Sequence, residues 1–259
     1  MLYFGLQLLI SMLIATLLGL VLGIHFGSQA GSPSAGSVAE LVKATLSGPN
    51  VAAAMMAATL MFSALITLWL VHRMWPGPWR LSAAIDGFGF ARSSHAAFYA
   101  AALLLGLATP FLGGMLTQWL AHGHPITQDL ASIGRGASLT SRLALALVAV
   151  TLGPLVEEVL FRGVLLSALL RWRRGPGVNR RCSRSRMLLA VAISASVFGL
   201  VHLPELGYLW YAVPNLILLG VGAAWLRLQS GSLWPAVLAH GANNLLAVAG
   251  WFLATHPPA

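Results

Sequence analysis

The chain has 259 residues, of which 58% are hydrophobic and only 8% charged. A soluble globular chain carries roughly 25% charged residues, so the composition excludes an ordinary soluble domain and points to lipid as the solvent. The net charge of +9 does not mark a nucleic-acid binder: fourteen of the fifteen basic residues are Arg, clustered in loops between apolar runs, the pattern of cytoplasmic loops in membrane proteins. Cys182 is the single cysteine, which rules out an intrachain disulfide and a tetrathiolate zinc site.

The first apolar run, Leu2 to Ile24, has no basic stretch before it and is long for a signal peptide, so it reads as a retained span. Residues 26–50 read as a Gly/Ser-rich loop, followed by a span over 51–71. Residues 72–95 carry Arg73, Arg80 and Arg92 with the breakers Pro76 and Pro78. A third span covers 96–121, with a kink expected at Pro110, and a polar loop covers 122–136. The apolar run from Ala137 to Trp172 contains Glu157, Glu158 and Arg162 and is too long for one upright helix. Gly153-Pro154 marks a kink or break in it. The loop 171–186 holds seven Arg. Spans then follow over 187–202, ended by Pro204, and over 208–228, stopped by Gly231. Ser232 is the N-cap expected for a last helix that tolerates Pro235 in its first turn and runs to about Leu253.

The pattern is an all-α polytopic bundle of seven spans, or eight if the long middle run divides. Its N-terminal helices lie in 1–136 and its chemistry-bearing core in 137–254. Seven spans put the basic loops 72–95 and 171–186, with Arg227, on one side, which the charge rule makes cytoplasmic. The expected location is therefore an integral, multi-pass position in a bacterial inner membrane.

Ionisable side chains inside such helices are costly, roughly 2.5–3.5 kcal/mol each on insertion scales, and by default mark a functional site. Glu157 and Glu158 are adjacent in an apolar run. Glu158 and Arg162 are four apart and share a helix face, whereas Glu157 points about 100° away and has no basic residue at helical spacing. Phe198 and His202 are four apart, as are His240 and Asn244. Taken singly, each pair also suits a structural role: a buried ion pair, a core histidine, an interhelical clamp. Taken together they converge. At ~1.5 Å per helical residue, Glu157 lies ~20 Å from Arg171, His202 a similar distance from Arg186, and His240, 13 residues beyond Arg227, comes out at ~20 Å also.

A carboxylate beside a neutral imidazole can hold and deprotonate water, and a second imidazole with an Asn amide can donate to an oxyanion. This set suits amide hydrolysis without a Ser or Cys nucleophile. The zinc-protease pattern H-E-x-x-H is absent, as are the Gly-x-Ser-Gly and Gly-x-Gly-Asp patterns of serine and aspartyl intramembrane enzymes.

The motifs Glu157-Glu158-x-x-x-Arg162, Phe198-x-x-x-His202 and His240-x-x-x-Asn244 resemble the three motifs of the CPBP family. That family includes the CAAX prenyl-protein endopeptidases and the bacterial Abi proteins linked to bacteriocin processing or immunity. Phe161-Arg162-Gly163 and Gly231-Ser232-Leu233-Trp234-Pro235 match as context, and the resemblance covers about 137–250. It implies that Glu157 activates water with help from His202, that His240 and Asn244 stabilise the oxyanion, and that Glu158 and Arg162 orient the site. It implies a peptide or membrane-protein substrate, and no nucleic acid. Members have been described both as metalloproteases and as glutamate-dependent enzymes. A divalent metal such as zinc would draw on Glu157, His202 and His240, but Asn is a poor zinc ligand, and the metal-free mechanism is favoured. Two other readings stay open: a non-catalytic immunity or scaffold protein that keeps the fold, and a transporter using a proton relay. A transporter predicts repeat symmetry, which the sequence does not display.

Overall fold

The computed structural model describes residues 2–29, 34–80, 87–122, 136–171 and 183–254. Asp86, Cys182, and most of the loops expected over 122–136 and 171–186 lie outside them.

The described residues form helices α1 (Leu2–Gly27), α2 (Ala35–Leu46), α3 (Pro49–Met74), α4 (Pro76–Arg80), α5 (Ala97–Ala121), α6 (Leu139–Val150) and α7 (Leu152–Glu158). A π-helical segment, Val159–Leu165, leads into α8 (Leu166–Arg171). Then come α9 (Arg184–Val201), a 3-10 turn (Trp210–Ala212), α10 (Val213–Ser230) and α11 (Trp234–Ala254), with no strand among the described residues. Among the described residues seven helices are long and apolar enough to cross a membrane, and residues 139–171 count as one 33-residue crossing. The protein is an all-α, multi-pass membrane bundle, and the eight-span alternative falls away.

Two loops contain more structure than the sequence indicated. Residues 26–50 hold α2, which packs on α1 through Val42 and Leu46 at Gly19. Residues 72–95 hold the short α4 and a strap at 87–94 that fastens the turn between α10 and α11. In that strap the Leu233 N–H donates to Gly89 O at 2.7 Å. Ser232 Oγ donates to Ala91 O at 2.6 Å, Trp234 Nε1 to Phe90 O at 2.9 Å and Arg227 Nη2 to Gly87 O at 2.8 Å. Gly89 has φ +79°, and a Cβ there would lie 2.7 Å from the Arg227 guanidinium carbon, so this position requires glycine. Ser232 also accepts from the Trp234 N–H at 3.2 Å, which caps α11 one residue further from the helix than a regular N-cap.

Lipid tails are as apolar as the helices, so helix association depends on close packing rather than on hydrophobic transfer. Small residues supply the close approach: Gly106 of α5 lies against the Ala239 carbonyl of α11, Gly113 against the Asn215 side chain of α10, and Gly222 of α10 against Leu105 of α5. Gly220 meets Ala195 of α9. The central α5, α9, α10 and α11 thereby hold the long, broken fourth span in a fixed rotation, which aims its two carboxyl groups.

Candidate active site

The fourth span breaks where the sequence placed a break. Pro154 has no N–H to give to the Val150 carbonyl, and the helix ladder is interrupted at Thr151, φ −115° and ψ −68°. A helix running straight through would pair the Ala149 carbonyl with the Gly153 N–H. Here the Asn244 side-chain amide of α11 donates to Ala149 O instead, at 3.0 Å. Gly241, one helical turn before it, lets α11 approach the freed Val150 carbonyl, which stands 2.9 Å from where a Cβ would be.

Past the break, α7 presents Glu157 and Glu158 to different neighbours. Glu158 is fully buried. Its Oε1 accepts from Arg162 Nη1 at 2.9 Å and from His240 Nδ1 at 3.0 Å. The i,i+4 pair read from the sequence is therefore present, and it reaches a third helix. Arg162 also donates through Nη2 to the Gly220 carbonyl at 3.0 Å and lies over the Phe198 ring, 4.6 Å from its centroid. The π-helical turn accommodates this: Leu166 N–H bonds Phe161 O, five residues back, and the Ser194 hydroxyl of α9 donates to the same carbonyl at 3.1 Å. π-bulges recur at functional sites, and the sequence carried no signal for this one.

Glu157 turns the other way, as its 100° offset demands. Its Oε2 lies 3.3 Å from His202 Nε2 and 3.9 Å from His240 Nε2. The two imidazoles share one logic. His202 Nδ1 donates to the Phe198 carbonyl at 2.7 Å, since a carbonyl can only accept. His240 Nδ1 donates to the Glu158 carboxylate. In both rings the Nδ1 proton is committed and Nε2 is directed at Glu157. Phe198, fully buried, wedges between them, with ring centroids 4.8 Å from His202 and 5.4 Å from His240. The Glu157 and His202 side chains stay 13% and 12% exposed, although Glu157 Oε2 itself is buried, while Glu158 and Arg162 are sealed at 0%.

The structure thus brings together Glu157, Glu158, Arg162, Phe198, His202 and His240. Asn244 is tied to the break in the span, with Asn243 donating to its Oδ1 at 3.3 Å and the Thr109 hydroxyl of α5 standing 3.1 Å from Asn243 Oδ1. Among the described residues no group of three or more His, Cys, Asp or Glu side chains is disposed to hold a metal ion.

Residues near the start of α1 complete the surroundings, which the sequence analysis missed. The Phe4 ring meets His202 edge-on at 5.6 Å and Tyr3 at 5.3 Å. Tyr3 is buried against Ala64 and Val156. The only available signal was an aromatic pair at the head of an otherwise aliphatic run.

Glu157, His202 and His240, drawn from three spans of a multi-pass helical bundle, thus form one cluster of carboxylate and imidazole groups. Residues 139–246 match the family described as Type II CAAX prenyl endopeptidase Rce1-like. The chain is similar to that family over this segment, and all seven motif residues fall inside it. No curated protein and no solved structure matches the chain.

Proposed function

We propose that the protein is an intramembrane endopeptidase that hydrolyses a peptide bond with a water activated by Glu157. The observation that carries this reading is the convergence of Glu157 Oε2 with the Nε2 atoms of His202 and His240, from three separate helices, within 3.9 Å. Glu157 accepts a proton from water as the water oxygen attacks the scissile carbonyl carbon. His202 holds the water and the carboxylate in line. When the tetrahedral intermediate collapses and the C–N bond breaks, Glu157 returns the proton to the leaving amine.

His240 stabilises the oxyanion. Its Nδ1–H is committed to Glu158, which leaves Nε2 as the ring atom that faces the oxyanion. Asn244 has one amide N–H on Ala149 O, which leaves the second for the oxyanion. Glu158 and Arg162 orient His240 and touch no substrate. The substrate is a peptide or membrane-protein segment that reaches the site from within or beside the bilayer; the matched family's name makes prenylated C-terminal peptides the first class to try. A divalent metal would have to be held by Glu157, His202 and His240, and no step here is routed through one.

The deciding experiment presents wild type and Glu157→Gln, both in detergent, with a panel of prenylated and unprenylated peptides. Cleavage by wild type and its loss in a folded variant is the expected result. A wild type that cleaves nothing returns the protein to the scaffold reading.

A further inference from the structure

The chemistry above uses Asn244 and gives no task to its two polar neighbours, Thr109 and Asn243. Both are buried in apolar helices, at 4% and 9% exposure, whereas Asn244 is partly exposed. Small residues bring those helices together: a Cβ on Gly106 of α5 would meet the Ala239 carbonyl and the Ala242 side chain of α11. Thr109 follows Gly106 by three residues and Asn243 follows Ala239 by four, so their side chains meet one turn further along the same seam. Thr109 Oγ1 lies 3.1 Å from Asn243 Oδ1, Asn243 Nδ2 lies 3.3 Å from Asn244 Oδ1, and Asn244 Nδ2 lies 3.0 Å from Ala149 O. The row runs from the third span, through the last helix, to the break in the fourth.

The end of the row fixes the direction of every donor in it. A carbonyl oxygen only accepts, so Asn244 must turn its NH2 group to Ala149. Its own oxygen then faces Asn243, which must answer with its NH2 group. That leaves the Asn243 oxygen facing Thr109. The Thr109 hydroxyl has one proton and two other acceptors in reach, Leu105 O at 3.0 Å and Gly106 O at 3.4 Å. The Gly106 carbonyl lacks its regular helical partner, because Pro110 has no N–H. The row is complete only when the Thr109 proton goes to Asn243. Without that proton the Asn243 amide no longer has a preferred way round. Turned over, it would set its oxygen against the Asn244 oxygen and release the amide that points at the site.

We infer that Thr109 and Asn243 are positioning residues, which hold the Asn244 amide with its N–H groups toward the fourth span and the oxyanion. This rests on the endopeptidase reading above and adds to that site two residues that act through Asn244.

The test compares Thr109→Val, which keeps the shape and removes the hydroxyl, with Thr109→Ser, which keeps the donor, in full-length protein in detergent. Thr109→Val should lower kcat by roughly tenfold, the scale of one buried hydrogen bond. KM should stay within about twofold, because the oxyanion forms only in the transition state. Thr109→Ser should restore most of the rate. In an Asn244→Ala background Thr109→Val should have no further effect, because its target is gone. Asn243→Leu should lower kcat at least as far as Thr109→Val and lose its effect in the same background. A Thr109→Val kcat equal to wild type, or a loss carried over in full to the Asn244→Ala background, overturns the inference, since the hydroxyl would then serve only packing. NMR of protein with isotope-labelled asparagine reads the amide itself. The Asn244 side-chain signals, assigned by their loss in Asn244→Ala, should exchange with solvent faster in Thr109→Val than in wild type or Thr109→Ser. Signals that do not respond overturn the inference. Wild type that cleaves no peptide while those signals respond overturns the endopeptidase reading alone.

Discussion

Replacing Glu158 by Gln tests the electrostatic frame of the site. The carboxylate has no exposed surface and accepts from both Arg162 Nη1 and His240 Nδ1 through one oxygen. Removing its charge leaves the Arg162 guanidinium, itself 0% exposed, with the Gly220 carbonyl at Nη2, the Phe198 and Phe161 rings and the more distant Glu157 carboxylate as neighbours that favour a cation. Breaking one side of a buried ion pair costs about 3–5 kcal/mol, because the remaining charge is uncompensated. The double variant Glu158→Leu/Arg162→Leu leaves no orphan charge and should recover most of that loss. It should not recover activity: His240 still lacks the acceptor that fixes its Nδ1 proton, and loss of such a partner costs roughly 10–100-fold. Reversible unfolding in detergent micelles and initial cleavage rates measure the two effects on one set of proteins. A Glu158→Gln variant less than about 1 kcal/mol below wild type, or a double variant with full activity, would refute the argument that this ion pair spans the core and holds His240.

Glu157→Gln keeps the shape and removes the proton acceptor; cleavage should fall by about 10²–10⁴-fold while the unfolding midpoint stays near wild type. Phe198→Ala opens a cavity between both imidazoles and beneath Arg162; a loss of about 3–5 kcal/mol, together with reduced turnover, is expected in the same two assays. Gly106→Val drives side-chain atoms into the Ala239 carbonyl, one residue before His240, so overpacking should cost about 1–3 kcal/mol and lower kcat more than it raises KM. Dialysis against a chelator should leave peptide cleavage intact; activity that is lost and then restored by zinc alone would replace the carboxylate mechanism with a metal one.

The spans, the helical class and the one-sided Glu158–Arg162 pair were all legible in the sequence. Each depends on local spacing: about twenty apolar residues cross a bilayer, and residues four apart share a face whatever the helix packs against. Counting from Arg171 and Arg186 gave Glu157 and His202 similar depths, because rise per residue is constant along one helix; the count from Arg227 to His240 fails as a depth, because it crosses the turn between α10 and α11. Helix α2 was missed because Gly and Ser in a short amphipathic stretch read as loop.

Rotation about each helix axis was what tertiary structure alone decided. In a soluble helix the apolar stripe reveals which side faces inward. In lipid both sides are apolar, and that information is lost. The direction of both Nε2 atoms toward Glu157, the second claim of Glu158 on His240, the capture of the Ala149 carbonyl by Asn244, and the placement of Tyr3 and Phe4 beside His202 all follow from how the packed helices set those rotations. They are properties of packed surfaces, and no spacing along one strand of sequence contains them.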